Sequence, residues 1–513
     1  MAREIELKLA FPPEALKAIS RHPLIVATTR VGRAQTLENT YYDTPDETLG
    51  KALIAVRTRR IGNRWLQTIK SANTSAGGLS SRPEWEQPFD HKANRFDFSV
   101  VDDATTRELL ERNAERISPL FTTNFRRETR EYSPRPGVRI LMMIDTGTVS
   151  SGSAERLRTA PISELELELA EGEAADLLDY ALQLGADLPL MPEDISKAQR
   201  GYQILHDEPT RALRARSVTL NASMTSREAF LALAFECLQA WQANALGALT
   251  HDDPEFIHQF RVALRRLRTL LRIFTTQLPE GFAKNWQQKL GQLANDVGLA
   301  RDLDVMHDSL LEEPAKGPDA PAFEALIQYL REASQAARIQ VRTVLHSADA
   351  RILLLQFSKA LHTLPGTSGA PDLSNFASDS LHKLRKQVAK RLKHAQETGA
   401  REDLHSVRIA MKRLRYALEF FASLFDEKYA KPYLRKLGDV LGELGELNDI
   451  TVGRNTLRQW AQTQENLREI SIWIAGWHAA HEQRRSRLVL EDTAELLDMP
   501  APWKKFRNEK ASK

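Results

Sequence analysis

The sequence predicts an α+β protein in which an antiparallel β-sheet or barrel with outer helices is followed by an all-α region of two related helical bundles. Three observations carry this prediction. The first two hundred or so residues alternate apolar and polar side chains in short segments, which is typical of half-buried strands. From about residue 222, long amphipathic helical patterns replace them. Within this second half, one sequence pattern occurs twice.

The strand-like segments of the first half are short, and turns containing glycine separate several of them. They are L-I-A-V-R-T-R-R (53–60), W-L-Q-T-I-K (65–70), P-E-W-E (83–86), V-R-I-L-M-M-I-D (138–145) and I-S-E-L-E-L-E-L (162–169). Helical periodicity is confined to stretches near residues 13–20, 103–116 and 173–184. This spacing indicates an antiparallel sheet or barrel with a few helices packed outside it.

The duplicated pattern begins at H-Q-F-R-V-A-L-R-R-L-R (258–268) and returns as H-S-V-R-I-A-M-K-R-L-R (405–415). The offset is 147 residues, and it still holds where R-D-L-D-V (301–305) meets N-D-I-T-V (448–452). A constant offset over such a length indicates two related helical bundles. The expected divisions of the chain are a first domain over 1–205, a polar linker over 206–218 and a helical domain over 219–505.

Composition places the chain among soluble proteins of a reducing compartment. Hydrophobic residues make up 42% and charged residues 27% of the 513 positions, and the formal net charge is only +3. The single cysteine, Cys237, excludes an internal disulfide framework. The first residues lack the apolar segment of a signal peptide, and no apolar run is long enough to cross a membrane. We therefore expect a cytoplasmic protein without membrane association.

Charged side chains share one face of several predicted strands in the first half. The rows are Glu4–Glu6–Lys8, Arg57–Arg59, Glu84–Glu86 and Glu164–Glu166–Glu168. Any one of these strands is typical of a sheet with one solvated face. A row of three glutamates, however, repels itself unless cations lie among them. Inside a closed barrel, acidic strands that face basic strands would form a polar lumen suited to a divalent cation and a polyanion.

The opening E-I-E-L-K (4–8) matches an E-x-E-x-K signature, and further motifs follow it in order. They are Y-Y-D-T-P-D (41–46), A-V-R-T-R (55–59), the strand ending at Lys70, G-G-L-S-S-R-P-E (77–84), F-R-R-E (125–128), I-D-T-G (144–147), S-E-L-E-L-E-L (163–169) and S-K-A-Q-R-G-Y (196–202). With this succession, roughly residues 1–205 resemble the CYTH superfamily, the triphosphate tunnel metalloenzymes. The resemblance implies an eight-stranded antiparallel β-tunnel that binds a triphosphate together with Mg²⁺ or Mn²⁺.

The same resemblance implies the residues of the site. The implied metal ligands are Glu4, Glu6, Glu164, Glu166 and Glu168, with Asp145 close by. The implied phosphate-binding residues are Lys8, Arg57, Arg59, Lys70, Arg127, Lys197 and Arg200. Those expected to act directly in catalysis are Glu4, Glu6, Lys8, Lys70 and Arg127. The motif leaves open whether Arg126 or Arg127 faces inward, although Arg127 fits the family position better.

Basic side chains form stripes on the repeated helices of the second half. The stripes contain His258, Arg261, Arg265, Arg268 and Arg272 in the first repeat and His405, Arg408, Lys412 and Arg415 in the second; a third basic stretch (382–393) contains Arg385 and Lys386. Solvated helix faces normally mix the two signs of charge, whereas these begin almost purely cationic. They predict a concentrated positive potential for a polyanion. Because aromatic residues are not interleaved, a phosphate polymer fits better than nucleic acid.

The H-x-x-R-[VI]-x-x-[RK]-R-L-R pattern of both repeats resembles the CHAD domain, over about residues 217–505. This resemblance implies that the basic stripes bind inorganic polyphosphate and that the protein associates with polyphosphate granules. The order CYTH followed by CHAD is similar to that of bacterial triphosphatases.

We therefore expect metal-dependent hydrolysis of inorganic tripolyphosphate to pyrophosphate and phosphate in the first half. Three alternatives stay open. The tunnel could bind triphosphate without turning it over, as an adaptor for polyphosphate. It could hydrolyse an organic triphosphate such as thiamine triphosphate or ATP, in which case Trp65 or Trp85 would be candidates for stacking on the organic group. The helical half could bind nucleic acid, which would show as a steep salt dependence.

Overall fold

The computed structural model describes residues 3–71, 74–93, 95–152, 156–306, 311, 320–366 and 372–503. The chain forms two compact units. The first, which we call the barrel unit, contains residues 1–211 together with 346–364. The second, the helical unit, contains residues 212–345 and 365–513. Across the described residues, no helix combines the length and apolar character that crossing a membrane requires.

Eleven strands form one sheet in the barrel unit. Their bounds are β1 Arg3–Ala10, β2 Thr29–Arg30, β3 Gln35–Asp43, β4 Ala55–Ile61, β5 Arg64–Lys70, β6 Thr74–Ala76, β7 Leu79–Pro88, β8 Ser118–Tyr132, β9 Arg139–Ser151, β10 Arg158–Glu171 and β11 Met191–Pro192. Eight of them follow the antiparallel order β1-β10-β9-β8-β3-β4-β5-β7, and β7 pairs back with β1 to close a barrel. The predicted eight-stranded antiparallel tunnel is confirmed.

The helices lie outside the barrel or build the second unit. Their bounds are α1 Leu16–Arg21, α2 Pro23–Val26, α3 Thr48–Lys51, α4 Ala104–Asn113, α5 Ala174–Asp187, α6 Lys197–His206, α7 Ser226–Thr250, α8 Pro254–Ile273, α9 Phe282–Asp296, α10 Gly298–Met306, α11 Ala320–His346, α12 Ala348–His362, α13 Leu373–Thr398, α14 Arg401–Phe421, α15 Glu427–Thr463 and α16 Arg468–Asp498. The helical stretches predicted near 13–20, 103–116 and 173–184 correspond to α1 with the 3₁₀ turn before it, to α4 and to α5. The predicted α+β class and the all-α second part are also confirmed.

Strand register separates the charged rows from the apolar rows. Along the β1–β10 pair, Glu6 lies opposite Glu168 and Lys8 opposite Glu166. Because side chains alternate along a strand, the intervening leucines point to the other face. There Leu7, Leu165 and neighbouring apolar residues pack with α5 in a buried core. One face of this strand pair thus lines the barrel interior with charged side chains, and the other face packs apolar side chains into the outer core.

Helix α12 lies between the two repeats in sequence but belongs to the barrel unit. It packs against α5, and Leu355, which is fully buried, joins the core beneath that helix. Lys359 forms an ion pair with Asp179 of α5, and the Arg351 guanidinium donates to the Leu188 carbonyl at 3.4 Å. The polypeptide that separates the repeats therefore completes the outer wall of the barrel unit.

The helical unit keeps the offset of the sequence repeat in its helix boundaries. Helices α7 and α8 start at residues 226 and 254, and their counterparts α13 and α14 start at residues 373 and 401. Both α7 and α8 begin with an acceptor for a free backbone N–H. Thr225 forms a capping box with Glu228, and the Asp253 carboxylate accepts from the Glu255 N–H. The repeated sequence thus builds two helical hairpins of the same kind.

Candidate functional site

The barrel encloses a cavity of about 290 Å³ with a charged lining. Seven basic and six acidic side chains contribute to it. They are Lys8, Arg57, Arg59, Lys70, Arg82, Arg127 and Lys197, with Glu4, Glu6, Glu84, Glu86, Glu166 and Glu168. Ten of these thirteen residues are among the candidates named from the sequence. The closed barrel therefore brings residues from distant parts of the chain into one lumen with nearly balanced charge.

One group of ion pairs joins strands β1, β5 and β7. The Lys70 ammonium lies 2.7 Å from a Glu4 oxygen and 2.8 Å from a Glu84 oxygen. The Arg82 guanidinium donates to Glu6 at 2.7 Å. Burial alone would raise the pKa of Glu84, but the charge of Lys70, a hydrogen bond with Glu4 and the charge of Arg57 together outweigh it and lower that pKa to about 2. Glu84 is therefore ionised at neutral pH, and fixed cations hold all three carboxylates in place.

A second group lies around Lys197. Its ammonium donates to Asp145 at 2.8 Å and to Glu166 at 2.9 Å, and it also pairs with Glu164. Arg127 binds Asp145 through two parallel N–H···O bonds of 2.7 and 2.6 Å. Burial alone would lower the pKa of Lys197, but the surrounding carboxylates raise it above its usual range. Lys197 therefore stays charged in the barrel wall.

Helix α6 positions Lys197 at its first turn. The Ser196 hydroxyl accepts from the Gln199 N–H while the Gln199 side chain accepts from the Ser196 N–H, which closes a capping box. Gly201 lets the helix approach the barrel, because a β-carbon at this position would lie 2.1 Å from the Phe121 ring. The local sequence S-K-A-Q-R-G thus fixes both where the helix starts and how closely it packs.

Among the carboxylates of the lumen, Glu168 is the one whose negative charge is least balanced by a nearby cation. Among the residues that the structure describes, no basic group forms an ion pair with it. Burial, followed by the charges of Glu4 and Glu84, raises the pKa of Glu168 to about 7. A divalent cation bound to Glu4, Glu6 and Glu168 would relieve this repulsion, and carboxylate oxygens are the donors that Mg²⁺ and Mn²⁺ prefer. The uncompensated negative charge of Glu168 is therefore the feature of this position that favours a divalent metal.

Three other carboxylates lie close enough together to share an ion. Ligand atoms of Asp145, Glu164 and Glu166 all lie within 4.8 Å of one another. The Lys197 ammonium, however, contacts all three and supplies the positive charge that they need. Asp145 and Glu164 are also fully buried and stand outside the cavity lining. Among the described residues, the structure thus shows one compact acidic group, which Lys197 neutralises, and one separate carboxylate, Glu168, that no ion pair neutralises.

Arginines concentrate at another part of the lumen. Burial, then the charges of Arg57 and Arg127, lower the pKa of Arg59 to about 10. Burial alone would raise the pKa of Tyr41, but the charge of Arg57 and other cations lowers it. The shift of Tyr41 reflects the positive charge of Arg57, Lys197 and Arg59 around it. An anion bound here would be stabilised by guanidinium groups, which bind phosphate oxygens well.

The remaining candidates from the first half take different positions. Arg200 stands outside the cavity lining, where its guanidinium donates to the Pro161 carbonyl at 2.9 Å and to Glu164 at 3.4 Å. Arg127 lines the cavity, whereas Arg126 is exposed. Sequence reasoning missed Arg82 and left Glu84 and Glu86 out of the site. Their alternation on one face of β7 is the signal that could have included them.

In the helical unit, the basic stripes of the two repeats meet. Burial, then the charges of Arg265 and Arg408, lower the pKa of Lys412 to about 6. Burial, then the charge of Arg301, lowers the pKa of His258 to about 4. The cations of α8 and α14 thus repel one another across the repeat. We call His258, Arg261, Arg265, Arg408 and Lys412 the central cationic cluster.

The other basic candidates of the helical unit divide into separate places. The His405 ring lies 2.7 Å from the Asn448 side chain, and Arg415 forms an ion pair with Glu419 at 2.9 Å. Arg385 donates a hydrogen bond to the Leu497 carbonyl in the last turn of α16, where a positive charge is favourable. The last three differ: Lys386 is exposed, Arg272 donates to Gln287 at 3.1 Å, and Arg268 lies against α9 at Gly291.

Comparisons with known proteins agree with both parts of the fold. Residues 2–202 match the CYTH domain family, and residues 232–458 match the CHAD domain family. An inorganic triphosphatase of Haemophilus influenzae is 32% identical over 202 residues, which cover 39% of this chain and 55% of that protein. The chain thus spans about half the length of this curated relative. A crystal structure of the CHAD domain from the plant Ricinus communis is 31% identical, with a TM-score of 0.50, and the match covers 57% of this chain and 99% of that one.

Proposed function

The chain contains a CYTH domain followed by a CHAD domain, and from this premise we propose that it is an inorganic triphosphatase. In this proposal the barrel unit hydrolyses tripolyphosphate to pyrophosphate and phosphate with Mg²⁺ or Mn²⁺. The observation that carries it is the lumen, where seven basic and six acidic side chains surround a cavity of about 290 Å³. The name of the Haemophilus influenzae relative supports the same activity.

The basic side chains of the lumen would bind and orient the substrate. Lys8, Arg57, Arg59 and Arg127 supply donors for phosphate oxygens from several sides. Phosphoryl transfer depends mainly on positioning and on stabilising charge, so these fixed donors account for most of the protein's share in the reaction. The ion pairs of Lys70 and Arg127 with carboxylates hold the donors in place before substrate arrives.

A divalent metal would be held by Glu4, Glu6 and Glu168. When bound, it would neutralise charge on phosphate oxygens and lower the pKa of a bound water. Glu168, whose pKa is raised to about 7, would lose its proton when the metal binds, so binding should release protons near neutral pH. This proton release distinguishes metal binding at Glu168 from binding at a site of ordinary carboxylates.

The lumen favours an inorganic over an organic triphosphate. Neither tryptophan that could stack on an organic group lines the cavity. Trp65 stacks on His91 with a centroid distance of 5.4 Å, and Trp85 is buried with its indole N–H donating to Asp102 at 2.9 Å. Both side chains are therefore engaged in packing.

The test is phosphate release from tripolyphosphate, ATP and thiamine triphosphate measured in parallel with Mg²⁺ and with Mn²⁺. We expect kcat/KM to be highest for tripolyphosphate and turnover to stop with EDTA. A higher kcat/KM for ATP or thiamine triphosphate would replace the inorganic substrate with an organic one.

For the helical unit, we propose binding of inorganic polyphosphate by the central cationic cluster. Lys412 and its neighbours Arg261, Arg265 and Arg408 repel one another, so a polyanion would be stabilising there. Tethering to a phosphate polymer would raise the local concentration of enzyme near its substrates. Lys412→Met should weaken binding of a long polyphosphate, whereas the exposed Lys431→Met should not. Tighter binding of duplex DNA than of polyphosphate would favour a nucleic-acid ligand instead.

A further inference from the structure

A second cavity, of about 320 Å³, lies in the helical unit and shares no lining residue with the central cationic cluster. The end of α8, the turn after it, the first half of α13 and one residue of α14 form its walls. Its lining includes Arg272, Ile273, Phe376, Asp379, Lys383 and Arg413. The lining thus combines apolar side chains with three basic residues and one acidic residue.

The positive charge in this cavity is poorly compensated. Within the part of the chain that the structure describes, no carboxylate forms an ion pair with Arg272, Lys383 or Arg413. Burial, followed by the charges of Arg272 and Arg391, lowers the pKa of the half-buried Arg413. Asp379 is the one acidic side chain in a lining with three cations, so a bound anion would reduce the repulsion among them.

The repeat supplies a filled counterpart of the same site. Arg266, which lies 147 positions before Arg413, forms an ion pair with Glu419. Its guanidinium also lies 5.6 Å from the centre of the Tyr416 ring and 4.9 Å from that of Phe420. Two aromatic rings and one carboxylate therefore surround and neutralise this arginine.

The corresponding positions around Arg413 carry other residues. The repeat offset pairs Tyr416 with Thr269, Glu419 with Arg272, and Phe420 with Ile273. Both rings are thus replaced by smaller side chains, and the carboxylate is replaced by a cation. On the neighbouring helices, the same offset pairs Glu236 of α7, which binds Arg216, with Lys383 of α13. At these positions, the cavity at Arg413 therefore has neither the two rings nor the carboxylate that surround Arg266 in the filled site.

We propose that this cavity binds a small aromatic phosphate, with the ring beside Arg413 and the phosphate between Arg272 and Lys383. A phosphate group can accept hydrogen bonds from several basic side chains at once, which suits three cations better than one carboxylate would. The volume is at the small end of the range for ligand pockets, about 300–1,000 Å³. Phe376 gives the ring an apolar wall, and its contact with Phe274 at 4.9 Å between centroids fixes its position.

A polyphosphate chain could also bring phosphate to these cations, but it carries no ring. The two sources are separated by calorimetric titration of the full chain with 1-naphthyl phosphate, 1-naphthol, inorganic phosphate and tripolyphosphate. We expect 1-naphthyl phosphate to bind with one site per chain, at least about tenfold tighter than either 1-naphthol or phosphate alone. Equal affinity for 1-naphthyl phosphate and inorganic phosphate would overturn the proposal, because the ring would then contribute nothing.

Two variants place the binding in this cavity. Ile273→Phe restores one ring of the filled site, and Arg413→Gln removes the central charge. Each variant should therefore bind 1-naphthyl phosphate about tenfold or more weakly than the wild-type protein does. Ile409→Phe is the matched control, since Ile409 is a partly exposed residue of α14 outside the cavity lining. Polyphosphate binding by Ile273→Phe should match wild type, which shows that the variant is folded. Unchanged affinity for 1-naphthyl phosphate in the folded Ile273→Phe variant would mean that the probe binds elsewhere.

Discussion

The barrel lumen and the central cationic cluster both contain many basic side chains, but the two environments shift the pKa of a lysine in opposite directions. In the lumen, carboxylates raise the pKa of Lys197 above its usual range, whereas in the cluster burial and neighbouring cations lower the pKa of Lys412 to about 6. Lys197 contacts three carboxylates, while Lys412 faces Arg265 and Arg408 with Asp449 as its nearby acid. The lumen supplies its own counter-ions, whereas the cluster has few of them, among them Asp449, which pairs with Arg408 at 3.9 Å.

This difference separates two ways of binding phosphate. Internal ion pairs fix the donors of the lumen in place, which suits catalysis on a small substrate. Cations on adjacent helices that outnumber their acidic partners create a positive potential that attracts any polyanion, which suits a tether. Variants that remove one charge should therefore damage folding in the lumen and affinity in the cluster.

Lys197→Met should have the largest effect. It leaves Asp145, Glu164 and Glu166 buried without their ammonium, which should lower the free energy of unfolding by about 3–5 kcal/mol. Urea unfolding measures this, with the exposed Lys92→Met as control.

The pH dependence of the same variant tests the cause. In the wild-type protein the pKa of Glu166 is well below its usual value, so its stabilising contribution is present at neutral pH and is lost below about pH 4. In Lys197→Met the carboxylates Asp145, Glu164 and Glu166 keep only the guanidinium groups of Arg127 and Arg200. The pKa of Glu166 should therefore rise, and stability should increase as the pH falls from 7 to 5. A variant that loses stability over this interval would contradict the ion-pair explanation.

Glu4→Gln/Glu6→Gln should lower kcat/KM for tripolyphosphate by about 10²–10³-fold, the loss typical of removing a group that stabilises transition-state charge. The control is Glu38→Gln, an exposed glutamate of β3 paired with Arg60 outside the lumen. Circular dichroism of the double variant checks that it folds. Near-wild-type turnover by the folded double variant would remove these residues from the site.

Leu355→Ala tests whether α12 is part of the barrel unit. Truncating this fully buried leucine should lower the free energy of unfolding of that unit by about 2 kcal/mol or more. Triphosphatase activity should then be lost at a lower temperature, while polyphosphate binding persists. Leu299→Ala, at an exposed leucine of the helical unit, is the control. Parallel loss of both activities would show that α12 does not stabilise the barrel unit in particular.

The smallest expected effect is the pH dependence of polyphosphate affinity. Because Lys412 has a pKa of about 6, it is charged at pH 5 and largely neutral at pH 8, and an anion favours the charged form. Polyphosphate affinity should therefore fall by up to about tenfold over this interval. His258, with a pKa of about 4, stays neutral throughout. In Lys412→Met, the decrease in polyphosphate affinity between pH 5 and pH 8 should be smaller than in the wild-type protein. A decrease of the same size would mean that other groups cause it.

The sequence was a good guide where a pattern repeats or alternates. The rows on β1, β4 and β10 are alternations of charged and apolar residues, and the barrel places members of each row in the lumen. The 147-residue offset recurs in the helix boundaries because each repeat folds with the same local signals. In these cases the information lies within about twenty residues, where periodicity is a strong indicator.

Other features depend on contacts that no local pattern records. Motifs within β3 and β8 were identified in the sequence, but these segments were not predicted as strands. Their sequences, N-T-Y-Y-D in β3 and T-T-N-F-R-R in β8, mix polar and aromatic residues. The place of α12 in the barrel unit follows from its packing on α5, which its own sequence does not reveal. Likewise, the carboxylates around Lys197 come from β9 and β10, far from it in the chain. Tertiary contacts determine all three.

The most direct test is phosphate release from tripolyphosphate by the wild-type chain with Mg²⁺, with Mn²⁺ and with EDTA, alongside tripolyphosphate binding under the same conditions. We predict metal-dependent turnover that stops with EDTA. Tight binding of tripolyphosphate without any phosphate release under either metal would contradict an enzyme and identify the barrel unit as a binding module.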